Sequence, residues 1–520
     1  MGLLFSETIY DATALLLLAF TASYMYIKHL YSYWKRMGVK YLEPTFPFGN
    51  FGPTIFQQKP GGELVAEIYK QNNDPFIGIY GALRPLLVVR DPNIIRSIFI
   101  KDFQHFVDRG VYIDEHYDPL SGHLFSMNGE KWKNLRVKLS PVFTSGKLKA
   151  MFSTLLNCGE PLQKYINKMA STNETIEVRE LAARYTTDII ASVAFGIDVN
   201  AIDNPDTDFR RYGRKALEMS FKNGLRAFST LIYPKLQKLL KLKSVDDDVE
   251  SFMINVVKDT LTYRERNNVI RKDLMQLMIQ LRNTGTVQND GEWDTKITHD
   301  EKKKTLTLNE MAAQAWVFFI AGFETSSTTL SFCLYELAKN PNIQNKVHEE
   351  IDQVIEKHNG QLTYDAVHDM KYLEWCIDET LRKYPIVPIL NRECTQRYKV
   401  PGTNYTMEKG TAVLIPVLGL QRDPKYYSQP DEFIPERFSP ENLKSFDKMP
   451  YMPFGDGPRV CIGLRLGKLQ TKVGLILMLQ NFTYQLTESM QGELKMSAKT
   501  FLLAPECGVT VKMTPRLASS

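Results

Sequence analysis

The sequence predicts a mainly α-helical body with small β-sheets, a single large folded unit preceded by an apolar N-terminal helix. Three observations carry that prediction. Apolar residues recur at helical spacing through most of the chain, over 129–139, 148–170, 185–195, 254–282, 308–338, 343–357 and 369–383. Strand-like stretches are few and short, at 76–89 and in pairs over 397–413. From residue 54 onward no repeat, low-complexity block or long linker marks a boundary.

Composition narrows the class. With 43% hydrophobic and 24% charged residues the chain is a folded globular protein, which excludes disorder, collagen and coiled coil as its main state. A net charge of +5 over 520 residues, with no interleaving of basic and aromatic residues, excludes nucleic acid as a partner. Cys158, Cys333, Cys376, Cys394, Cys461 and Cys507 form no C-x-x-C pair, so neither a disulfide framework nor a zinc site is encoded.

The N-terminal element reads as a membrane anchor. Residues 12–27 carry no charge, and the apolar run is long enough to span a bilayer once its ends are included. Glu7 and Asp11 precede it, while Lys28, Lys35, Arg36 and Lys40 follow it. That bias places the N-terminus in the lumen and the body in the cytosol. A cleaved signal peptide would carry its positive charges ahead of the run. The expectation is a signal anchor over 1–28 at the endoplasmic reticulum, a basic and proline-rich hinge over 29–53, and a catalytic body over 54–520. On a cytosolic body the sequons at Asn173, Asn404 and Asn481 go unused. Residues 228–243, apolar with Lys235, Lys238, Lys241 and Lys243 and broken by Pro234, read either as a solvated helix face with its leucines in the core or as a second membrane contact.

The most informative stretch is 453–463, Pro-Phe-Gly-Asp-Gly-Pro-Arg-Val-Cys-Ile-Gly. Its glycines and proline force a tight turn with amides pointing inward. A good helix follows from Leu464, so Cys461 lies near a helix N-terminus, where dipole and amides favour a thiolate. A thiolate held this way can serve as an axial ligand to haem iron.

Phe454, Gly457, Arg459, Cys461 and Gly463 together resemble the haem-binding loop of the cytochrome P-450 superfamily, the haem-thiolate monooxygenases. Three further segments resemble that family's motifs in the family's order. Ala321-Gly322-Phe323-Glu324-Thr325-Ser326 resembles its oxygen-activating helix, Glu379 and Arg382 its E-x-x-R pair, and Pro435-Glu436-Arg437-Phe438 its P-E-R-F segment. The resemblance runs from the anchor to the last strands.

This resemblance implies haem b with Cys461 as axial ligand, whose anionic sulfur pushes electron density toward bound dioxygen. It implies that Gly322 lets the helix backbone approach the haem, and that Thr325 and Glu324 deliver protons on the oxygen side. It implies a buried Glu379–Arg382 pair, joined by Arg437, bracing the loop that carries Cys461. Trp132 and Arg136 resemble the family's W-x-x-x-R pair, and Arg392, Arg459 and more loosely Arg109 its propionate-binding arginines; arginine suits carboxylates through its bidentate geometry.

Electrons must come from outside, since the chain has no G-x-G-x-x-G site and no flavin-sized extra domain. The resemblance implies an NADPH-dependent flavoprotein reductase, with cytochrome b5 as a further partner, docking on a basic face around Lys131, Lys133, Lys138, Arg465 and Lys468. By place in the motif order, Phe125, Phe318, Ala321, Ile389 and Phe501 wall an apolar pocket for a lipophilic small molecule. The wording around 311–326 resembles insect microsomal members of family six, which implies oxidation of xenobiotics such as plant toxins and insecticides. A hormone or steroid hydroxylase shares the same chemistry, and a haem-thiolate isomerase or dehydratase would have no use for Thr325. A membrane-tethered haem gas sensor would need neither the Glu324–Thr325 pair nor an electron-entry face.

Overall fold

The computed structural model describes residues 2–217, 223–226, 229, 236–288, 293, 305–444 and 450–516. Among these are twelve α-helices of ten or more residues: α1 Gly2–Tyr31, α2 Gly61–Lys70, α3 Gly129–Leu139, α4 Phe152–Ser171, α5 Val178–Ile190, α6 Asp208–Leu217, α7 Asp247–Asn267, α8 Leu274–Thr284, α9 Leu308–Lys339, α10 Pro341–Lys357, α11 Lys371–Lys383 and α12 Leu464–Leu479. Nine short strands make three small sheets: β1 Phe76–Gly81, β2 Arg84–Val89, β3 Ile176–Glu177, β4 Leu390–Glu393, β5 Tyr398–Lys399, β6 Thr406–Met407, β7 Ala412–Ile415, β8 Phe482–Leu486 and β9 Thr510–Pro515. The largest sheet has the order β1-β2-β7-β4, with β2 and β7 parallel and the other pairs antiparallel. The fold is mainly α with small sheets, as the periodicity predicts.

The centre is α9. A capping box opens it: Thr307 Oγ1 accepts from the Glu310 amide at 3.2 Å, and Glu310 Oε2 accepts from the Thr307 amide at 2.7 Å. Most of its side chains are buried, and it packs against α5, α7 and α12. Its hydropathy alone would pass for a membrane span, but this is the core helix. The membrane-length helix with exposed side chains is α1, whose span Tyr10–Tyr31 has 22 residues. Of the segment 228–243, residues 228 and 230–235 lie outside the described residues; Leu239 and Leu240 are exposed.

The structure corrects three readings of the sequence. The apolar pattern over 254–282 is two helices, α7 and α8, because Asn268 takes the left-handed conformation (φ 50°) and Asp273 caps α8 through the Gln276 amide at 2.8 Å. Asp273 also accepts from Arg264 Nη1 at 2.9 Å, so one buried carboxylate makes the corner. The pattern over 148–170 is likewise broken, into a short helix Ser145–Ala150 and α4. The expected hinge over 29–53 is part of the body. Trp34 is fully buried with Nε1 donating to Ile79 O at 2.9 Å, Leu42 N donates to Gly78 O at 3.0 Å and Asn50 N to Tyr80 O at 2.8 Å. Burial of Trp34, Val39 and Phe51 thus zips this segment along β1.

A fully buried ion pair on α11 ties together stretches of chain around residues 421 and 432–437. Arg382 Nε and Nη2 donate to Glu379 Oε2 and Oε1 at 2.7 and 2.9 Å, a two-bond fork across one helical turn. Glu379 Oε1 also accepts from Arg437 Nε at 3.2 Å and from the Ile434 amide at 3.0 Å. Arg382 Nη1 donates to Gln421 O at 2.9 Å, and the Gln421 side chain accepts from the Met452 amide at 2.9 Å. Met452 precedes the 453–463 loop, so a chain of hydrogen bonds runs from the pair to that loop. Replacing Arg382 with methionine strands Glu379, and such a loss is expected to destabilise the protein by about 3–5 kcal/mol. Denaturation midpoints and haem content should fall together. Lys131→Met, which breaks an exposed pair with Glu115, should change stability by less than about 1 kcal/mol.

Candidate haem and substrate site

The loop 453–463 is a backbone cradle. Cys461 N donates to Phe454 O at 2.9 Å, closing the turn. Gly457 has φ +68° and lies against the Phe99 carbonyl, where a Cβ would collide, so only glycine fits. Gly463 is the residue before α12, and a Cβ built there meets nothing within 4 Å, so the space beside it is open. Cys461 stands three residues ahead of α12, with its thiol open to a cavity of ≈ 270 Å³ deep in the protein. Burial pushes the Cys461 thiol up; the Gly463 amide bonded to its sulfur and the guanidiniums of Arg136 and Arg109 oppose that. A cation on the sulfur reverses the balance, because a coordinating thiol is deprotonated outright.

Around the same cavity stand Arg109, Arg136, Arg392 and Arg459. Arg459 lies over the Trp132 ring at 4.3 Å, Arg392 over Phe99 at 4.6 Å and Arg109 over Phe125 at 3.8 Å. Burial, and then the neighbouring Arg459, lower Arg392 to about 9; burial lowers Arg459 to about 10, with Asp108 opposing and Arg136 adding to the shift. Burial lowers Arg109 well below its ordinary value, and Arg392 and Arg459 add to it. Among the described residues only Arg459 has a carboxylate in reach, Asp108 at 4.0 Å. The Nε groups of Arg392 and Arg459 are buried without a hydrogen-bond partner. Crowded, half-satisfied guanidiniums beside a free thiol and an open space fit a group that brings its own anions, as the two propionates of haem do.

On the other wall, α9 presents Phe318, Ala321, Gly322, Thr325 and Ser326 to the cavity. Thr325 Oγ1 donates to Ala321 O at 2.6 Å. A Cβ on Gly322 would press on Ile190 Cδ1 at 2.7 Å, so its bare face makes room for α5. Its carbonyl accepts from Gln470 Nε2 at 2.8 Å.

The structure brings together Cys461, Phe454, Gly463, Trp132, Arg136, Arg392, Arg459, Arg109, Gly322, Thr325, Phe125, Phe318 and Ala321. It sets four expected site residues elsewhere. Glu324 is one residue, hence about 100° of helix, away from Thr325; its carboxylate faces α5 and accepts from Arg179 Nη2 at 2.6 Å. Ile389 packs beneath the sheet, and Leu390 lines the cavity in its place with Ile386 and Val387. Phe501 is 63% exposed, while its neighbour Leu503 donates its amide to Ile386 O at 2.9 Å and supports the wall from behind. Gly457 shapes the loop without lining the cavity. Of the expected docking lysines, Lys468 is tied inward to Asp378 at 2.6 Å and Lys131 is paired with Glu115 at 2.8 Å. Leu124, Phe143, Ile190, Val317, Gln421 and Gln470 went unread; their signal lies in helical phase, as with Val317 beside Phe318, or in polar residues placed within apolar helix faces.

A family model for cytochrome P450 matches residues 44–512. Cytochrome P450 6k1 of Blattella germanica is 41% identical over 503 residues, covering 96% of this chain and 96% of that protein. Probable cytochrome P450 6d5 of Drosophila melanogaster is 40% identical over 503 residues, covering 96% and 98%. Cytochrome P450 6d1 of Musca domestica is 39% identical over 510 residues, covering 95% and 98%.

Cys461→Ser tests the axial ligand. An alcohol is far too weakly acidic to replace a thiolate, so the reduced carbon monoxide complex should lose its red-shifted Soret band entirely while residual haem remains bound. A red-shifted band retained in the serine variant would remove Cys461 from the ligand position.

Proposed function

The chain belongs to the cytochrome P450 family and is a haem-thiolate monooxygenase; we propose that it oxidises lipophilic xenobiotics, plant toxins and insecticides among them. Electrons come from NADPH through a flavoprotein reductase, with cytochrome b5 as a second donor. The protein works at the endoplasmic reticulum membrane on the α1 anchor, its body in the cytosol. The observation that carries this reading is one cavity holding the Cys461 thiol, a ring of guanidiniums and an otherwise apolar, aromatic wall.

Each part of that cavity has a chemical task. Haem bound by Cys461 supplies an iron centre that activates dioxygen, with the thiolate favouring O–O cleavage. Arg109, Arg136, Arg392 and Arg459 with Trp132 would hold the carboxylates of the cofactor, whose oxygens would serve as acceptors for the two unpartnered Nε groups. Phe125, Phe143, Phe318 and Val317 offer contact without direction, which suits varied apolar substrates and excludes water from the reacting end. Thr325 Oγ1 donates to Ala321 O, so in this arrangement it can only accept a hydrogen bond from water in the cavity; it passes a proton onward once the hydroxyl turns from Ala321 O toward the cavity and takes a replacement proton from that water. Glu324 would join this relay only on releasing Arg179, since its largely shielded carboxylate is turned toward α5. The basic face for the reductase is then Lys133, Lys138 and Arg465, since Lys468 is held within the protein.

The test is reconstitution with the reductase and NADPH against a panel of lipophilic plant toxins, insecticides and steroids. Turnover of the toxins and insecticides with one NADPH per product is the expected result; turnover confined to a single steroid would replace the detoxification reading with a biosynthetic one. Thr325→Ala should keep haem and substrate binding, while product per NADPH falls by about one to two orders of magnitude and hydrogen peroxide rises. Unchanged coupling would take Thr325 out of proton delivery.

A further inference from the structure

Gln314 is fully buried on α9, and nothing in the chemistry above uses it. Its amide is engaged at both ends. Nε2 donates to Gly122 O at 3.1 Å, and Oε1 accepts from the Leu124 amide at 2.9 Å. Nε2 also donates back to Glu310 O at 3.2 Å, which fixes the rotamer. The partners lie in a loop nearly two hundred residues earlier, and that loop carries Leu124 and Phe125 into the cavity wall.

The position has a helical logic. Residues 314, 318, 321 and 325 are spaced 4, 3 and 4 apart, which puts them on one stripe of an α-helix. Phe318, Ala321 and Thr325 all line the cavity. Gln314 continues that stripe as its polar end, about 16 Å along the axis from Thr325 at 1.5 Å per residue. An apolar residue there would leave the Gly122 carbonyl and Leu124 amide buried and unpaired, and the loop could recover them only by moving toward water. On the far side of Phe125 its carbonyl accepts from Arg109 Nη1 at 2.8 Å and from Arg459 Nη1 at 3.2 Å. The wall is therefore clamped from two sides, by the cofactor-holding arginines and by Gln314.

We infer that Gln314 is a positioning residue for substrate selection, fixing Leu124 and Phe125 over the cavity in register with Thr325. The inference rests on the reading of this cavity as the place where haem and substrate meet. It concerns which molecules fit and how they lie, and leaves the chemistry of oxidation untouched.

Hydrogen exchange on the haem-loaded wild type reads the clamp directly. The Leu124 amide should exchange at least about a hundredfold more slowly than a solvent-exposed loop amide. If it exchanges as an open loop does, the clamp is absent and the inference falls, whatever any variant does. Gln314→Met keeps length and loses both hydrogen bonds to the loop; protection should drop by about tenfold or more within 119–127 and stay unchanged in α12. Gln314→Glu serves if the methionine variant does not fold, since its carboxylate accepts from Leu124 but no longer donates to Gly122. Imidazole and 4-phenylimidazole, titrated by the haem difference spectrum, give a second readout. Imidazole affinity should hold while the ratio of the two dissociation constants shifts by about threefold or more, because only the larger ligand reaches the wall. An unchanged ratio together with lower stability would make Gln314 merely structural and overturn the inference. If neither compound perturbs the spectrum of the wild type, the cavity reading itself is wrong, and the substrate role goes with it.

Discussion

The placement of the loop that carries Cys461 depends on two opposite charges with no access to water. Taking Glu379 and Arg382 out of solvent is unfavourable unless almost every polar atom on both groups finds a partner. Glu379 Oε1 takes three donors and Oε2 one; Arg382 spends its remaining hydrogens on the Gln421 and Glu432 carbonyls. Those partners come from separate stretches of chain. None can shift without uncovering a buried charge, and through Gln421 and Met452 the constraint reaches the loop that presents Cys461. A loop rich in glycine gains its single conformation from a helix far from it in sequence.

The upper side of the cavity shows the reverse electrostatic condition. Four guanidiniums face one space, and among the described residues only Asp108 answers them. Burial and mutual repulsion lower Arg109 and Arg392, and two buried Nε groups lack acceptors. Such an arrangement is unfavourable alone and becomes favourable once a dianion enters, so cofactor binding adds to the stability of the folded chain by mass action. The satisfied ion pair and the unsatisfied arginine group divide the labour. One holds the thiol's loop; the other leaves guanidinium donors open to an anion entering the cavity.

How much of this was legible follows from the kind of signal each residue leaves. Turn chemistry marks the Cys461 loop, whereas Glu379, Arg382 and Arg437 are legible only through the family resemblance, since an i,i+3 pair by itself reads as an ordinary surface pair. Where a side chain points was readable only when phase was followed. Glu324 adjoins Thr325 in sequence yet faces Arg179 from another side of α9. Strand parity would have chosen Leu390 over Ile389, because Arg392, two residues on from Leu390, shares its face of β4. The stretch 501–503 is read as pocket wall by its place near the end of the chain; the structure buries Leu502 and Leu503 and turns the Phe501 ring outward. The hinge reading of 29–53 gave prolines more weight than Trp34, whose burial against β1 decides the matter. Long-range hydrogen bonds such as Gln421 to Met452 leave no local pattern at all.

One rigid element then connects both halves. α9 carries Thr325 toward the cavity, Glu324 toward α5 and solvent, and Gln314 toward the loop wall, so three distances are set by one helix. Near Thr325 two successive carbonyls, Ala321 and Gly322, each accept from a side chain, Thr325 Oγ1 and Gln470 Nε2. Side-chain donors at helix carbonyls loosen the ladder locally and bend the axis. Gln470 belongs to α12, the helix that begins three residues after Cys461, so the helix presenting the hydroxyl is tied to the helix that follows the thiol. Gln470 thus joins the backbone three residues before Thr325 to the helix that starts three residues after Cys461, so one side-chain amide spans the two walls of the cavity.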